Sequence, residues 1–225
     1  MACSVDDRQL GPAGSGGITG NGFGGSPTVD GGEAGAGEPE PLPVCDYGNG
    51  VPEGCDSLVA NPGLARNTRG WSAEDATVVV SWSEHDANAH KESGAVSVLN
   101  TLFGAANGIA SRAATQCLPT VPGQAYGFAL DVFVPEGQGE ALDGGTYTAN
   151  AGLGVIFYTS SQCDGYSLGS ASSALAEEPG VWTHREGRAI APQGAQSMLV
   201  RLVALKNFRE YSFEAYFDNV FVKAE

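Results

Sequence analysis

Four side chains, Tyr158, Tyr166, Asp131 and Arg201, have the residue types and positions to hold a polyhydroxylated ligand. Over residues 153–160, Val155 and Phe157 alternate with Ile156, Tyr158 and Ser160, which puts Tyr158 opposite the apolar pair; Tyr166 follows nearby. Asp131 and Arg201 likewise fall opposite the apolar residues of their own stretches. A ring turned outward can stack on a sugar face while a carboxylate and a guanidinium hydrogen-bond its hydroxyls. Ala125, Gly127 and Ala129, opposite Tyr126 and Phe128, would leave an open floor between strands, whereas Trp82 shares a face with Val78 and Val80 and is expected in the core. The plainer reading of the same pattern is that the two tyrosines only cover a sheet edge.

Other chemistry is weaker. Glu84, His85, Asp86, His90 and Glu92 cluster in one stretch, and they suit zinc or nickel only if that stretch folds back on itself; a solvated connection is expected instead. His184, beside Arg185 and Glu186, is expected on an exposed strand face. No His lies in a convincing triad context, and no pair of carboxylates for glycoside hydrolysis can be singled out from 26 acids. The chain is read as a non-enzyme.

These residues need strands to position them. Period-two alternation marks 76–83 and 124–134, and further strands are expected at 94–101, 109–118, 153–160, 166–173, 181–187, 197–205 and 212–223. Turn clusters at 135–145, Asp164-Gly165, Pro179-Gly180 and 192–194 separate them. Nine strands without long helical periodicity predict an all-β fold, a β-sandwich of jelly-roll type; an immunoglobulin-like sandwich is the alternative. Against that alternative, the cysteines lack the Cys, Trp, Cys order of immunoglobulin core strands.

The net charge of −15 excludes the basic footprint of a nucleic-acid binder, and no apolar run is long enough to span a bilayer. Residues 4–44 hold 12 of the 33 glycines and 5 of the 12 prolines, too little apolar surface to offset the entropy of ordering. Residues 1–43 are therefore read as a disordered tether, 44–56 as a small loop and 57–225 as one folded domain. Of five cysteines, setting Cys3 aside leaves an even number. Cys45 and Cys55 sit close together in a Gly- and Pro-rich loop, leaving Cys117 for Cys163, and two such bonds imply an oxidising compartment.

Met1-Ala2-Cys3-Ser4 resembles the end of a bacterial lipoprotein signal, which implies lipid on Cys3, attachment to a membrane through that lipid only, and an outer-membrane or cell-surface location. The V-C-D-Y-G-N-G-V-P-E-G-C-D stretch over 44–56 resembles short segments common in secreted and lipid-anchored proteins of myxobacteria.

A wider resemblance runs through the C-terminal part. Leu58-Val59-Ala60-Asn61-Pro62-Gly63-Leu64 followed by Gly70-Trp71-Ser72, then Val121-Pro122-Gly123-Gln124-Ala125-Tyr126, Ala191-Pro192-Gln193-Gly194-Ala195 and Ala215-Tyr216-Phe217-Asp218-Asn219-Val220, resembles carbohydrate-binding modules of families 4 and 9 in order and spacing. It covers nearly all of residues 58–224. It implies a jelly roll that recognises a glycan or polysaccharide without catalysis, with a structural or adhesion module contacting protein as the alternative. It also implies a structural calcium held in part by Asp218, although Ala65 stands where such modules carry a Glu, and losing a carboxylate weakens a site that needs six or more oxygens.

Overall fold

The structure is a computed structural model, and it describes residues 41–103, 110–138, 140–142, 145–147, 149–206 and 211–225. The expectations for the tether and for Cys3 lie outside the described residues, apart from positions 41–43. The strands are β1 (Ser72–Ala73), β2 (Val78–Ser83), β3 (Ala95–Asn100), β4 (Ala110–Pro119), β5 (Ala125–Phe133), β6 (Glu140–Leu142), β7 (Gly145–Tyr147), β8 (Ala149–Tyr158), β9 (Ser167–Ser172), β10 (Trp182–Ile190), β11 (Ser197–Lys206) and β12 (Phe213–Ala224).

Ten of them build two antiparallel five-stranded sheets: a first sheet in the order β1-β4-β11-β8-β9 and a second in the order β10-β5-β12-β3-β2. From β9 onward the chain alternates between the sheets, so that β9 faces β10 and β11 faces β12 across the core, as in a jelly roll. β6 and β7 form a separate small hairpin.

Alternation decides which side chains meet. Phe157, Val155 and Leu153 of β8 and Met198, Val200 and Leu202 of β11 point inward from the first sheet. Phe128, Leu130 and Val132 of β5 and Phe213, Ala215 and Phe217 of β12 point inward from the second, all essentially without solvent contact. Each fully buried Phe or Leu contributes roughly 1.5–3 kcal/mol, which is what holds the sheets face to face. Tyr126 is in this core as expected. Trp82 is not: it stands next to the end of β2, is only half-buried, and its Nε1 donates to the Leu64 carbonyl at 2.8 Å.

The disulfides pair Cys45 with Cys55 and Cys117 with Cys163, with Cα–Cα separations of 5.7 and 6.0 Å. The first does not close a free-standing loop. Leu42, Cys45, Tyr47 and Cys55 pack with Ala129 and Phe221 on the outer face of the second sheet, and the Leu42 amide donates to Glu186. Leu42 thus packs with the body, although it lies ahead of the boundary drawn from composition. A Cβ on Gly127 would come within 2.6 Å of Leu42, so glycine here is the residue that admits the roof. The open floor expected at Ala125, Gly127 and Ala129 is covered.

Candidate functional site

The outer face of the first sheet carries a groove of about 350 Å³. Its floor exists because β8 places Gly152 and Gly154 outward, between the inward Ala151, Leu153 and Val155. A Cβ on Gly154 would meet no atom closer than 3.8 Å, so the space above it is open. Ile156, Val203 and Leu205 supply apolar walls, and Ser111, Ser170 and Ser172 add hydroxyls. β9, which contributes the last two serines, is a sheet edge of small residues.

Arg201 is the single formal charge among the groove-lining residues, facing Gly154 on β8 and Thr115 on β4. Its Nη2 donates to both Glu74 carboxylate oxygens at 2.7 and 2.8 Å, while its buried Nε has no partner among the described residues. The Arg201 side chain is 17% exposed, enough to reach a ligand from a fixed position. The guanidinium and serine hydroxyls over an apolar floor can hydrogen-bond the rim of a sugar ring while its faces lie on aliphatic groups.

The four ligand residues expected from sequence divide. Arg201 is in the groove. Tyr158 is half-buried on the same outward face, two positions beyond Ile156, and does not line the groove. Tyr166 sits in the turn between β8 and β9 with 85% of its surface exposed. Asp131 lies on the other sheet, because β5 belongs there: its Oδ1 is 2.9 Å from His184 Nδ1 and its Oδ2 accepts from Asn219 Nδ2 at 2.8 Å. His184 is correspondingly half-buried and paired rather than exposed, and the Asp131 hydrogen bond holds its pKa above the usual histidine range. Sequence reading missed Glu74, whose pairing with Arg201 joins distant parts of the chain. It also missed Gly154, a glycine inside a strand that leaves the face above it open.

Asp218 is fully buried at a bulge in β12 that lies between Asp218 and Phe221. Its Oδ2 accepts from the Ala87 amide at 3.0 Å and its Oδ1 from the Asn219 amide at 2.7 Å. Burial pushes its pKa up to about 8 against the opposing pull of these two amides, with the nearby Asp86 and Asp131 charges adding to the rise. Among the described residues, no group of three or more His, Cys, Asp or Glu side chains is placed to hold a metal ion.

No family profile and no curated protein matches the chain. Solved structures do. The enzymatically active domain of tailspike protein 4 of bacteriophage CBA120 is similar at 12% identity and a TM-score of 0.52, covering 81% of this chain and 23% of that one. An arabinose-bound α-L-arabinofuranosidase is similar at 13% identity and a TM-score of 0.53, covering 76% of this chain and 26% of that one. The C-terminal family 22 carbohydrate-binding module of a Clostridium thermocellum xylanase has 19% identity and a TM-score of 0.48, over 73% of this chain and 96% of that one. This chain therefore spans about a quarter of the tailspike and arabinofuranosidase chains, and its likeness to them establishes the β-sandwich fold alone.

Proposed function

We propose that the chain is a non-catalytic glycan-recognition protein whose ligand lies in the groove of the first sheet. The observation that carries this reading is the open floor at Gly154 beside Arg201, itself held by Glu74. A groove of this volume accepts one or two sugar rings of a longer polymer, with Tyr158 and Tyr166 beyond its end to meet further units.

Gly154→Leu is the direct test, since a side chain there enters the groove and leaves the core untouched. Binding of the full chain to a polysaccharide array should fall at least tenfold for any ligand held in the groove, with an unchanged melting temperature. Tyr158→Ala and Arg201→Ala should weaken the same ligand. Identical binding by the parent and Gly154→Leu would remove the groove from the account.

Three further elements are proposed with this function. Cys3 carries lipid that tethers the chain to a membrane at the cell surface, which mass spectrometry of the native N-terminus tests; an unmodified thiol would refute it. The acidic, Gly- and Pro-rich residues that follow act as a leash between anchor and body. Calcium at Asp218 is the third. An ion there would have to recruit most of its six or more oxygens from backbone and water and compete with two amides for Asp218. A melting temperature raised by calcium over chelator supports it, and superimposable curves refute it.

A further inference from the structure

The connection from Glu84 to Ser93 joins β2 to β3 and is tied down at every turn. The Ala87 amide is held by buried Asp218, and Asp86 Oδ1 accepts from the Asn88 and His90 amides at 2.9 and 2.7 Å. His90 Nε2 lies 2.9 Å from Asp46 Oδ2 of the disulfide loop, and Ser93 Oγ donates to the Gly63 carbonyl at 2.7 Å. The His85 imidazole is lodged among Phe133, Tyr216 and Trp182, with ring centroids at 4.3, 5.1 and 5.3 Å. Surface connections are ordinarily the mobile part of a fold; this one is fixed at the expense of burying a carboxylate, which is unfavourable by itself.

What is fixed is the wall of a cavity of about 490 Å³, lined by Trp82, Glu84, His85, Asp86, His90 and Lys91 among others. The Ala87, Asn88 and His90 amides, one Asp86 oxygen and the His90 ring are engaged within the fold. The Glu84 carboxylate and the Lys91 ammonium have no hydrogen bond or ion pair among the described residues, and both line the cavity.

We propose that this cavity is a second binding site, separate from the groove, for one neutral sugar unit. Trp82 supplies an aromatic wall, Glu84 and Asp86 accept hydroxyl protons, and Lys91 donates to a hydroxyl oxygen. A hydroxyl both donates and accepts, so it suits a carboxylate and an ammonium side by side. An anion would meet Glu84 and Asp86, and a cation would meet Lys91. Fixed walls reduce the ordering that binding must overcome. The site shares only its class of ligand with the groove reading and stands if that reading fails.

The test uses the full chain carrying Gly154→Leu, titrated calorimetrically with glucose, galactose, mannose, xylose, xylohexaose and galactotriose. At least one of these should still bind, and adding Glu84→Ala or Lys91→Ala should weaken it at least tenfold. Both changes should leave the melting temperature unmoved, since neither side chain supports the fold. No binding by Gly154→Leu to any of the six, or binding untouched by both further changes, overturns the second site. A parent and Gly154→Leu that bind alike would instead count against the groove alone.

Discussion

Asn219 shows how one residue can set the geometry of a face. It takes a positive φ of 49° at the β12 bulge, a conformation asparagine tolerates better than most side chains. Its Oδ1 accepts from the Tyr47 amide and its Nδ2 donates to Asp131, linking disulfide loop, bulge and β5. Asn219→Ala should cost about 2–4 kcal/mol through lost hydrogen bonds and backbone strain, measurable by denaturant unfolding; a loss below about 1 kcal/mol would show that the link is dispensable.

Titration supplies a second test on the same scale. Asp218, His90 and His184 all have folded pKa values above their unfolded ones, so each binds protons more readily in the native state. Their contribution is fully present below the unfolded pKa and is lost as pH rises through the folded one, which for Asp218 spans about 4 to about 8. Asp46 has the opposite sign: burial raises its carboxyl, but the hydrogen bonds from His90, the Gly48 amide and Asn88 together outweigh it, so its contribution is lost on acidification through the lowered pKa. The melting temperature should therefore fall between about pH 5 and about pH 8, and Asp218→Asn should flatten that fall. A melting temperature that rises over this interval would contradict the assignment.

At the scale of elements, the disulfide loop does more than close on itself. Removing Cys45–Cys55 frees an 11-residue segment, worth roughly 3 kcal/mol by loop closure, and lifts Tyr47 and Leu42 from Ala129 and Phe221. A Cys45→Ser, Cys55→Ser chain should melt about 6–12 °C lower, and an unchanged melting temperature would mean that the roof stays seated without its bond. The roofing was not legible in sequence, because alternation says which residues leave the core and nothing about what then covers them. The strands themselves were legible wherever bulky apolar residues alternate, as in β5, β11 and β12. The start of β8 was missed because Ala149-Asn150-Ala151-Gly152 carries no β-branched or aromatic signal. β1 was missed because two residues hold no period.

For the whole molecule, the two sheets offer unlike surfaces. The second sheet is occupied by the disulfide loop and by the rings around His85, while the first keeps a glycine-floored groove open. Of the candidate site, Arg201 was legible from alternation, and Asp131 was misplaced because pairing order, not local pattern, assigns a strand to a sheet. The chain's −15 charge favours solubility and disfavours polyanionic ligands at long range, so neutral polysaccharides should bind better than acidic ones at low salt. The reverse ranking would indicate that a local contact overrides the field.

The most direct measurement is a calorimetric comparison of the parent chain with Gly154→Leu against whichever polysaccharide the array identifies. An affinity at least tenfold weaker in the variant at the same melting temperature is expected if the ligand lies in the groove, and equal affinities would show that it does not.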